Sequence, residues 1–416
     1  LVRSDYVNHA GYLKDCYLVF NADKCENVHY GAILAGNKDS MDLNVVGESE
    51  LCYWDIDCHK SFGVYFSEGI KNCHDVWFSK DCVGSDHLFG CMGLRKKSHC
   101  IFNTQYTKEE WEQKVKEYKT SSYVEIEKMK MEARTFWEKF PQKFNHGLYN
   151  TNVSGDYVYE SKNAKELYLS RFVEDGKWCQ WITLPKTKDA YDYTEWGANA
   201  EHIYETITAG EGASGIKFCF GTWSSAMNNE YSVLAVTCAN IFGCANIKNK
   251  KYCILNKEYS KEEFESLRTR IIDDMNKNPY VDSKGRVFAY GEFFPPDLSR
   301  FAYNETSAAQ YFPLKKEEAA ANGFRWRDPT PSSHTITLSQ ERIPDDIRDV
   351  ADDILKEIIG CGECGKAFRV IKPELDLLRR FSFPLPRKCS DCRNMERLAR
   401  LNPPRFVHRT CQCSGL

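Results

Sequence analysis

Two cysteine pairs near the C-terminus have the spacing of metal-binding knuckles. Each pair reads Cys-x-x-Cys, and 24 residues separate the two pairs. The four cysteines are Cys361, Cys364, Cys389 and Cys392. Four thiolates at this spacing can close tetrahedrally around Zn²⁺. Because all four ligands would be protein groups, no position is left for water, and we expect a structural zinc ribbon rather than a catalytic zinc.

Three further potential ligands follow the ribbon: His408, Cys411 and Cys413. They resemble the first half of a second zinc site, but the sequence stops at Leu416 before a fourth ligand appears. Two interpretations remain open. Either the natural chain continues and completes the site, or these residues bind no metal.

The segment that holds the ribbon is basic, whereas the rest of the chain is acidic. Residues 361–416 contain 12 Lys/Arg against 5 Asp/Glu, a net charge of +7, and the remaining residues contain 44 against 54, a net charge of −10. Basic zinc ribbons commonly contact phosphate groups. The candidate phosphate-binding residues are Arg379, Arg380, Arg387, Lys388, Arg393 and Arg397. The alternative is a basic tail whose charges pair with the acidic body.

A duplicated stretch shows how the chain before the ribbon is organised. Residues 90–111 and 243–264 match at a constant offset of 153, without a gap. Both copies contain Cys-x8-Cys and then a capping box, Thr107-Lys-Glu-Glu in the first and Ser260-Lys-Glu-Glu in the second. A hydroxyl N-cap with a carboxylate three residues later predicts the start of a helix. Each copy is therefore predicted to end a repeat region and to begin the helix that covers it.

The regions before these helices show a short repeat. Clusters of aromatic and β-branched residues recur about every twelve positions over residues 6–106, and again in the second copy. Such clusters are typical of strands, and a fixed short period favours a β-solenoid. We expect two strands and about 24 residues in each coil.

The repeat regions contain thirteen of the 19 cysteines, and from Cys73 to Cys100 these fall nine residues apart. Several have histidine neighbours, as in Cys73-His74 and His99-Cys100. Neighbours in a strand point to opposite faces, so such a pair cannot chelate one ion together. We therefore interpret the solenoid cysteines as small buried packing residues with the histidines outside.

These patterns predict a mainly β protein: two tandem β-solenoid-like repeat units, each capped by an α-helix, followed by an aromatic arm and a C-terminal zinc ribbon. The aromatic, proline-rich arm is expected to wrap a hydrophobic groove on its own body or on a second copy, and an acidic helix is predicted at about 344–359. The predicted boundaries are a first β-solenoid with capping helix at 1–122, a connecting helix at 123–149, a second β-solenoid with capping helix at 150–277, the arm at 278–330, a linker at 331–343, and a helix plus zinc ribbon at 344–416.

Three segments carry a resemblance to a group of proteins. They are GEFFPPDLSRFAYNETSAAQYFPL, LPRKCSDCR, and the close of the first repeat region, C-I-F-N-x-x-Y-T-K-E-E. Together they resemble uncharacterised, Cys-rich repeat proteins with zinc-ribbon tails from candidate-phyla-radiation bacteria. The resemblance covers nearly the whole chain and implies the domain order and the zinc ribbon, but no activity. It also implies that the natural chain continues past Cys413 into further Cys and His residues.

For function, the repeat architecture favours a non-enzymatic scaffold or interaction protein that binds a protein partner or itself. The alternative is binding of RNA or a ribosome through the basic tail. An enzyme with an active site in a solenoid groove is the third hypothesis, although no Gly-x-Ser-x-Gly, phosphate-binding loop or His-Glu-x-x-His occurs. The ribbon cysteines favour a reducing compartment, and no segment is long and apolar enough to span a membrane. We therefore expect a cytoplasmic protein.

Overall fold

The first repeat region is a β-solenoid. A computed structural model describes residues 1–328 and 334–405, and in it the first region forms one parallel sheet that closes with a short antiparallel strand. Its strands are β1 (Asn8–Gly11), β2 (Tyr17–Asp23), β3 (Glu26–Ala35), β4 (Lys38–Gly47), β5 (Glu50–Ile56), β6 (Phe62–Tyr65), β7 (His74–Trp77), β8 (Asp86–Phe89), β9 (Ser98–Ile101) and β10 (Thr104–Gln105). Helices α1 (Lys108–Val115) and α2 (Tyr123–Trp137) follow.

Each coil of this solenoid contains 12 residues. Strand β2 pairs with β3 at Tyr17 and His29, and β3 pairs with β4 at His29 and Met41, always in parallel. The same step joins Leu88 of β8 to Cys100 of β9. The fold class predicted from the repeat is confirmed, but the prediction of two strands and about 24 residues per coil is wrong. Twelve residues, which include one such cluster, already complete a coil and bring the chain to the matching position on the next coil.

The coil is this short because the chain turns at every third residue. The corner residues have left-handed φ angles, as in Phe66, Gly69, Asn72, Asp75 and Phe78. The residues directly after those corners are buried: Ser67, Ile70, Cys73, Val76 and Ser79. A left-handed φ costs most residues about 1–2 kcal/mol, so packing of the inward residues must compensate. The nine-residue cysteine spacing equals three of these steps.

Inward cysteines and serines also satisfy backbone groups of the next coil. Ser61 Oγ accepts a hydrogen bond from the Cys73 amide at 3.2 Å, and Cys73 Sγ accepts one from the Ser85 amide at 3.4 Å. Burial raises the pKa of the Cys91 thiol to about 12. The thirteen solenoid cysteines are buried free thiols, which confirms their interpretation as packing residues and adds a hydrogen-bonding role.

The second repeat region builds a second solenoid with less regular coils. The step between coils is 14 residues from Val173 to Thr187, 13 from Ala190 to Ile203 and 12 from Ile241 to Cys253. The strands are β11 (Gly147–Leu148), β12 (Thr151–Tyr159), β13 (Lys162–Arg171), β14 (Val173–Lys177), β15 (Gln180–Leu184), β16 (Thr187–Gly197), β17 (Ala200–Gly210), β18 (Ser214–Lys217), β19 (Phe220–Trp223), β20 (Met227–Glu230), β21 (Val233–Val236), β22 (Ala239–Phe242), β23 (Ala245–Lys248), β24 (Lys251–Ile254) and β25 (Lys257–Glu258).

Both solenoids end in the predicted way. Helix α1 and helix α3 (Lys261–Lys277) each begin with a complete capping box, in which Thr107 and Ser260 are the N-caps. Trp111 of α1 and Phe264 of α3 are buried beneath their helices. The capping helices therefore cover the last coils, as the duplicated motif predicted.

The aromatic arm packs on its own solenoid. Tyr290 and Phe294 contact the ring of Tyr231, and Tyr290 also contacts Phe218. The prediction that the arm packs on its own chain is therefore confirmed. The arm contains β26 (Tyr280–Val281), β27 (Val287–Phe288), α4 (Ala308–Tyr311), α5 (Lys316–Ala321) and two 3-10 turns, Pro296–Leu298 and Tyr303–Glu305.

The ribbon segment contains a short hairpin and two helices: β28 (Ile359–Gly360), β29 (Ala367–Phe368), α6 (Lys372–Phe381) and α7 (Ser390–Leu398). The acidic helix predicted at about 344–359 is wrong. Residues there form 3-10 turns, Ile347–Asp349 and Asp352–Lys356, after an earlier turn at Gln340–Arg342. The reason is tertiary: the Asp345 carbonyl accepts from the Tyr123 amide, and the Ile347 amide donates to the Ser121 carbonyl.

The described residues divide into two compact units. One combines residues 1–142 with residues 334–401, and the other consists of residues 143–328 and 402–405. The ribbon thus belongs to the unit of the first solenoid although the second solenoid separates them in sequence. Within the described ranges, the helices are too short or too polar to cross a membrane.

Candidate metal centre

The hairpin and the last helix bring the two cysteine pairs together. Cys361 and Cys364 lie in the turn between β28 and β29, where Gly365 has a left-handed φ of 71°. Cys389 is the N-cap of α7, and Cys392 lies in its first turn. A backbone hydrogen bond from Gly362 to the Arg387 carbonyl, 2.9 Å long, joins the two knuckles.

The geometry of the four sulfurs fits one metal ion. All four Sγ atoms lie within 4.8 Å of one another, and those of Cys364 and Cys389 are 3.8 Å apart. Sulfurs at about 2.3 Å from a tetrahedral ion would be separated by about 3.8 Å. The sequence-predicted ligands are thus assembled into a group that could hold a metal ion.

Backbone amides favour the thiolate form of one ligand. Burial opposes ionisation of Cys361, but amide donors from Cys364, Cys389 and Glu363 outweigh it and lower its pKa to about 6. Burial raises the pKa of Cys389 to about 11. Lys388 forms ion pairs with Glu363 at 3.1 Å and Glu396 at 3.4 Å, so its charge is shared with carboxylates beside the knuckles.

A buried charge network holds the ribbon against the first solenoid. Arg393 and Arg397 of α7 both pair with Asp42 of β4, with shortest distances of 3.1 and 2.7 Å. Arg393 also pairs with Glu374 of α6 at 3.0 Å, and the Tyr30 hydroxyl donates to Glu374 at 2.8 Å. The two positive and two negative charges balance, as burial in a low dielectric requires.

Burial and the paired charges shift the pKa values of this network in different directions. Burial raises the pKa of the Glu374 carboxyl, although Arg393 opposes the shift. Burial lowers the pKa of Arg397, whereas Asp42 and Glu374 outweigh burial and raise the pKa of Arg393. Arg397 Nε also donates to Asn44 Oδ1 at 2.6 Å. Arg393 thus has Asp42 and Glu374 as partners, and Arg397 has Asp42 and Asn44, all within this unit.

Aromatic packing extends the contact beside this network. The ring of Phe383, just after α6, stacks on Tyr53 at 5.1 Å between centroids and meets Tyr65 at 5.2 Å and Trp77 at 5.8 Å. Tyr53, Tyr65 and Trp77 lie one above another, twelve residues apart, on adjacent coils. The coil period thus builds the apolar surface that the ribbon covers.

This burial corrects part of the predicted phosphate-binding set. Arg393 and Arg397 were predicted to face nucleic acid, but they are only 5% and 0% exposed. Their assignment as phosphate contacts is therefore wrong, because a phosphate would have to displace the ribbon from the solenoid to reach them.

The other four predicted residues lie nearer the surface and have partners in the same unit. Arg379 pairs with Asp352 at 2.5 Å, Arg380 pairs with Asp39 at 3.0 Å, and Lys388 has the two glutamates named above. Arg387 donates to the carbonyls of Ile343 and Pro344 and lies over the ring of Tyr123. His408, Cys411 and Cys413, the candidates for a second zinc site, lie outside the described residues.

Sequence reasoning missed the acidic half of the network. Asp42 lies between Met41 and Leu43 in a strand where each of the three is fully buried. Glu374 precedes the buried Leu375 in α6. A carboxylate at an apolar position of a strand or helix was the available signal, because a buried charge needs a partner. The signal does not say which residue that partner is.

Comparisons with known proteins add little. No protein-family model matches the chain, and no curated protein matches it significantly. Among solved structures, one described as a "putative acetyltransferase" from Desulfovibrio desulfuricans G20 is 10% identical, and the match covers 69% of this chain and 82% of that one. Its TM-score is 0.11, which is too low to support an inference about fold or activity.

Proposed function

We propose that this protein is an interaction scaffold in which a structural zinc ion folds the ribbon, and the second solenoid binds a protein partner. The observation that supports this proposal most directly is the burial of Arg393 and Arg397. Through these arginines the ribbon packs against the first solenoid. A zinc ion that folds the ribbon therefore stabilises a segment that belongs to the packed unit of the first solenoid. A ribbon that served nucleic acid would be expected to present such residues to solvent.

The four thiolates support zinc as the ion. Soft sulfur ligands in a tetrahedral arrangement select Zn²⁺ or iron, and a site with four protein ligands is typical of structural zinc. Elemental analysis of the purified full chain tests this assignment. We expect the zinc content to fall by one ion per chain when Cys361 and Cys389 are both replaced by Ser; iron in place of zinc, or unchanged zinc content in that variant, would contradict it.

A row of aromatic rings marks the partner surface. In the second solenoid, Trp178, Tyr191, Tyr204 and Phe218 are in successive ring contact at 4.9–5.4 Å. The arm covers the Phe218 end, whereas Trp178 at the other end is 38% exposed. In the first solenoid the ribbon covers the comparable aromatic surface. By this analogy, the open end accepts apolar and aromatic side chains of a protein partner, the residue types enriched at interface centres.

The test uses the tagged full chain purified from its native source after nuclease treatment. We expect a protein partner that is retained by the wild-type chain and lost by Trp178→Ala with Tyr191→Ala. The matched control is Tyr12→Ala, an exposed aromatic of the first solenoid, which should retain the partner. A partner retained by the double variant contradicts the proposed surface, and a partner that is recovered only when the nuclease is omitted would favour the nucleic-acid alternative.

A further inference from the structure

A second group of potential metal ligands lies on the outer surface of the first solenoid. His74 is the first residue of β7 and Asp86 the first residue of β8, and the strand register places them one above the other. His87 follows Asp86 at a corner, with a left-handed φ of 51°. Because the chain turns there, these two neighbours do not alternate between faces as they would in a regular strand.

The three side chains meet closely. One ligand atom from each of His74, Asp86 and His87 lies within 4.8 Å of the other two. His87 Nδ1 is 2.7 Å from an Asp86 carboxylate oxygen, and the rings of His74 and His87 are 5.2 Å apart between centroids. Two imidazoles and one carboxylate form a donor set for divalent transition metals, with positions left for water.

Neighbouring groups hold these ligands in place. The ring of His87 stacks on His99 at 4.7 Å and meets the edge of Trp111 at 5.2 Å. Ser98 Oγ donates to Asp86 at 2.9 Å. Partners that orient imidazoles and carboxylates in this way raise the affinity of metal sites. The cluster is therefore supported by the last coil and by the capping helix.

The second solenoid provides an internal comparison. At the constant offset of 153, His74, Asp86 and His87 correspond to Met227, Ala239 and Asn240. The strands have the same bounds and the same register, with Met227 paired to Ala239 as His74 is to Asp86. Since the second solenoid builds these coils with none of the three ligands, packing does not require them in the first.

We propose that His74, Asp86 and His87 form a site for one divalent transition-metal ion, separate from the ribbon thiolates. His74 is exposed and the other two residues are half-buried, so an ion can reach the site from solvent and keep water ligands. The proposed site goes beyond the scaffold function, and its test does not depend on whether the scaffold function is correct.

The test compares metal content between the full-length wild type and a triple variant, His74→Met with Asp86→Ala and His87→Asn. These replacements are the residue types of the second solenoid, so the fold is expected to tolerate them. After equilibration with Zn²⁺, we expect the wild type to hold one ion more per chain than the variant. The difference isolates this site from the ribbon and from His408, Cys411 and Cys413. In a Ni²⁺ titration, Asp86→Ala alone should weaken this binding by more than about 10-fold, because losing even an outer partner of a ligand costs that much.

Equal metal content in the two proteins overturns the proposal. His202→Asn is the matched control, since His202 lies 3.6 Å from Asp189 on the second solenoid but forms no three-ligand group with other described residues; it should leave metal content unchanged. If the triple variant fails to fold, His74→Met decides the question, because this exposed side chain can be removed without disturbing the core. Unaltered Ni²⁺ affinity in His74→Met is then the contradicting result.

Discussion

Arg397 donates from Nη1 to Asp42 Oδ1 at 2.7 Å, and the two side chains are 1% and 0% exposed. The pair joins helix α7 of the ribbon to strand β4 of the first solenoid, across 355 residues of sequence. A buried ion pair is weak evidence for stability by itself, because desolvation offsets the attraction. We infer that its role is to fix the position of the ribbon on the solenoid.

Removal of one partner should therefore be costly. Asp42→Ala leaves Arg397 buried without a counter-charge, and we expect a loss of about 3–5 kcal/mol in the free energy of unfolding, measured by denaturant unfolding. The control is Asp15→Ala, which breaks the exposed pair with Arg3 and should change stability far less. Similar losses in the two variants would show that the buried network does not hold the ribbon.

The two classes of cysteine should respond differently to the same substitution. Cys361→Ser removes one of the four proposed metal ligands, so we expect loss of metal from the ribbon and earlier unfolding of the segment around α7, measured by hydrogen exchange. Cys219→Ser should retain the metal and change stability by no more than about 1 kcal/mol. The reason is that Cys219 Sγ accepts the Ser232 amide, just as Ser232 Oγ accepts the Cys244 amide on the next coil. Metal loss in Cys219→Ser would contradict this division of roles.

Stability of the first unit should fall on mild acidification because of His29. Burial lowers the pKa of His29 to about 4 from its ordinary value of 6.5, so the folded state binds fewer protons than the unfolded state between these values. The contribution of neutral His29 to the free energy of unfolding is fully present above pH 6.5. It is lost as the pH falls toward 4. It amounts to on the order of 3 kcal/mol.

The measurement is the slope of unfolding free energy against pH. His29→Gln cannot take up the proton, so it should flatten the slope in this window. His202→Gln, which removes an exposed histidine, should leave the slope as it is. A slope that His29→Gln does not alter would assign the acid sensitivity to other groups.

The duplicated caps should behave alike. Thr107 and Ser260 each accept a hydrogen bond from the amide of the glutamate three residues later, at 3.2 Å in both helices. Replacement of either by Ala should destabilise its helix by about 0.5–2 kcal/mol, seen as faster amide exchange in the first turn of α1 or α3. Replacement of Thr107 by Ser is the control. Loss of protection in only one of the two Ala variants would mean that the copies are not equivalent.

The local patterns were readable without a structure because their physics is local. The capping boxes need only four consecutive residues, and the ribbon cysteines need two tight turns. Cys73, Cys82, Cys91 and Cys100 already showed the nine-residue spacing. The prediction of the coil length fails because it assumes two strands in each coil. Left-handed corners at every third residue instead bend each twelve-residue repeat into a complete coil.

The solenoid class, the capped ends and the grouping of the four ribbon cysteines follow from the sequence alone. Which charges are buried depends on tertiary contacts, since Asp42 and Arg397 approach only when the ribbon lies on the coils. Tertiary contacts also explain why residues near Ile347 bind the loop before α2 instead of forming a helix. Contacts between residues hundreds of positions apart depend on how whole surfaces pack, and neither composition nor short-range spacing records them.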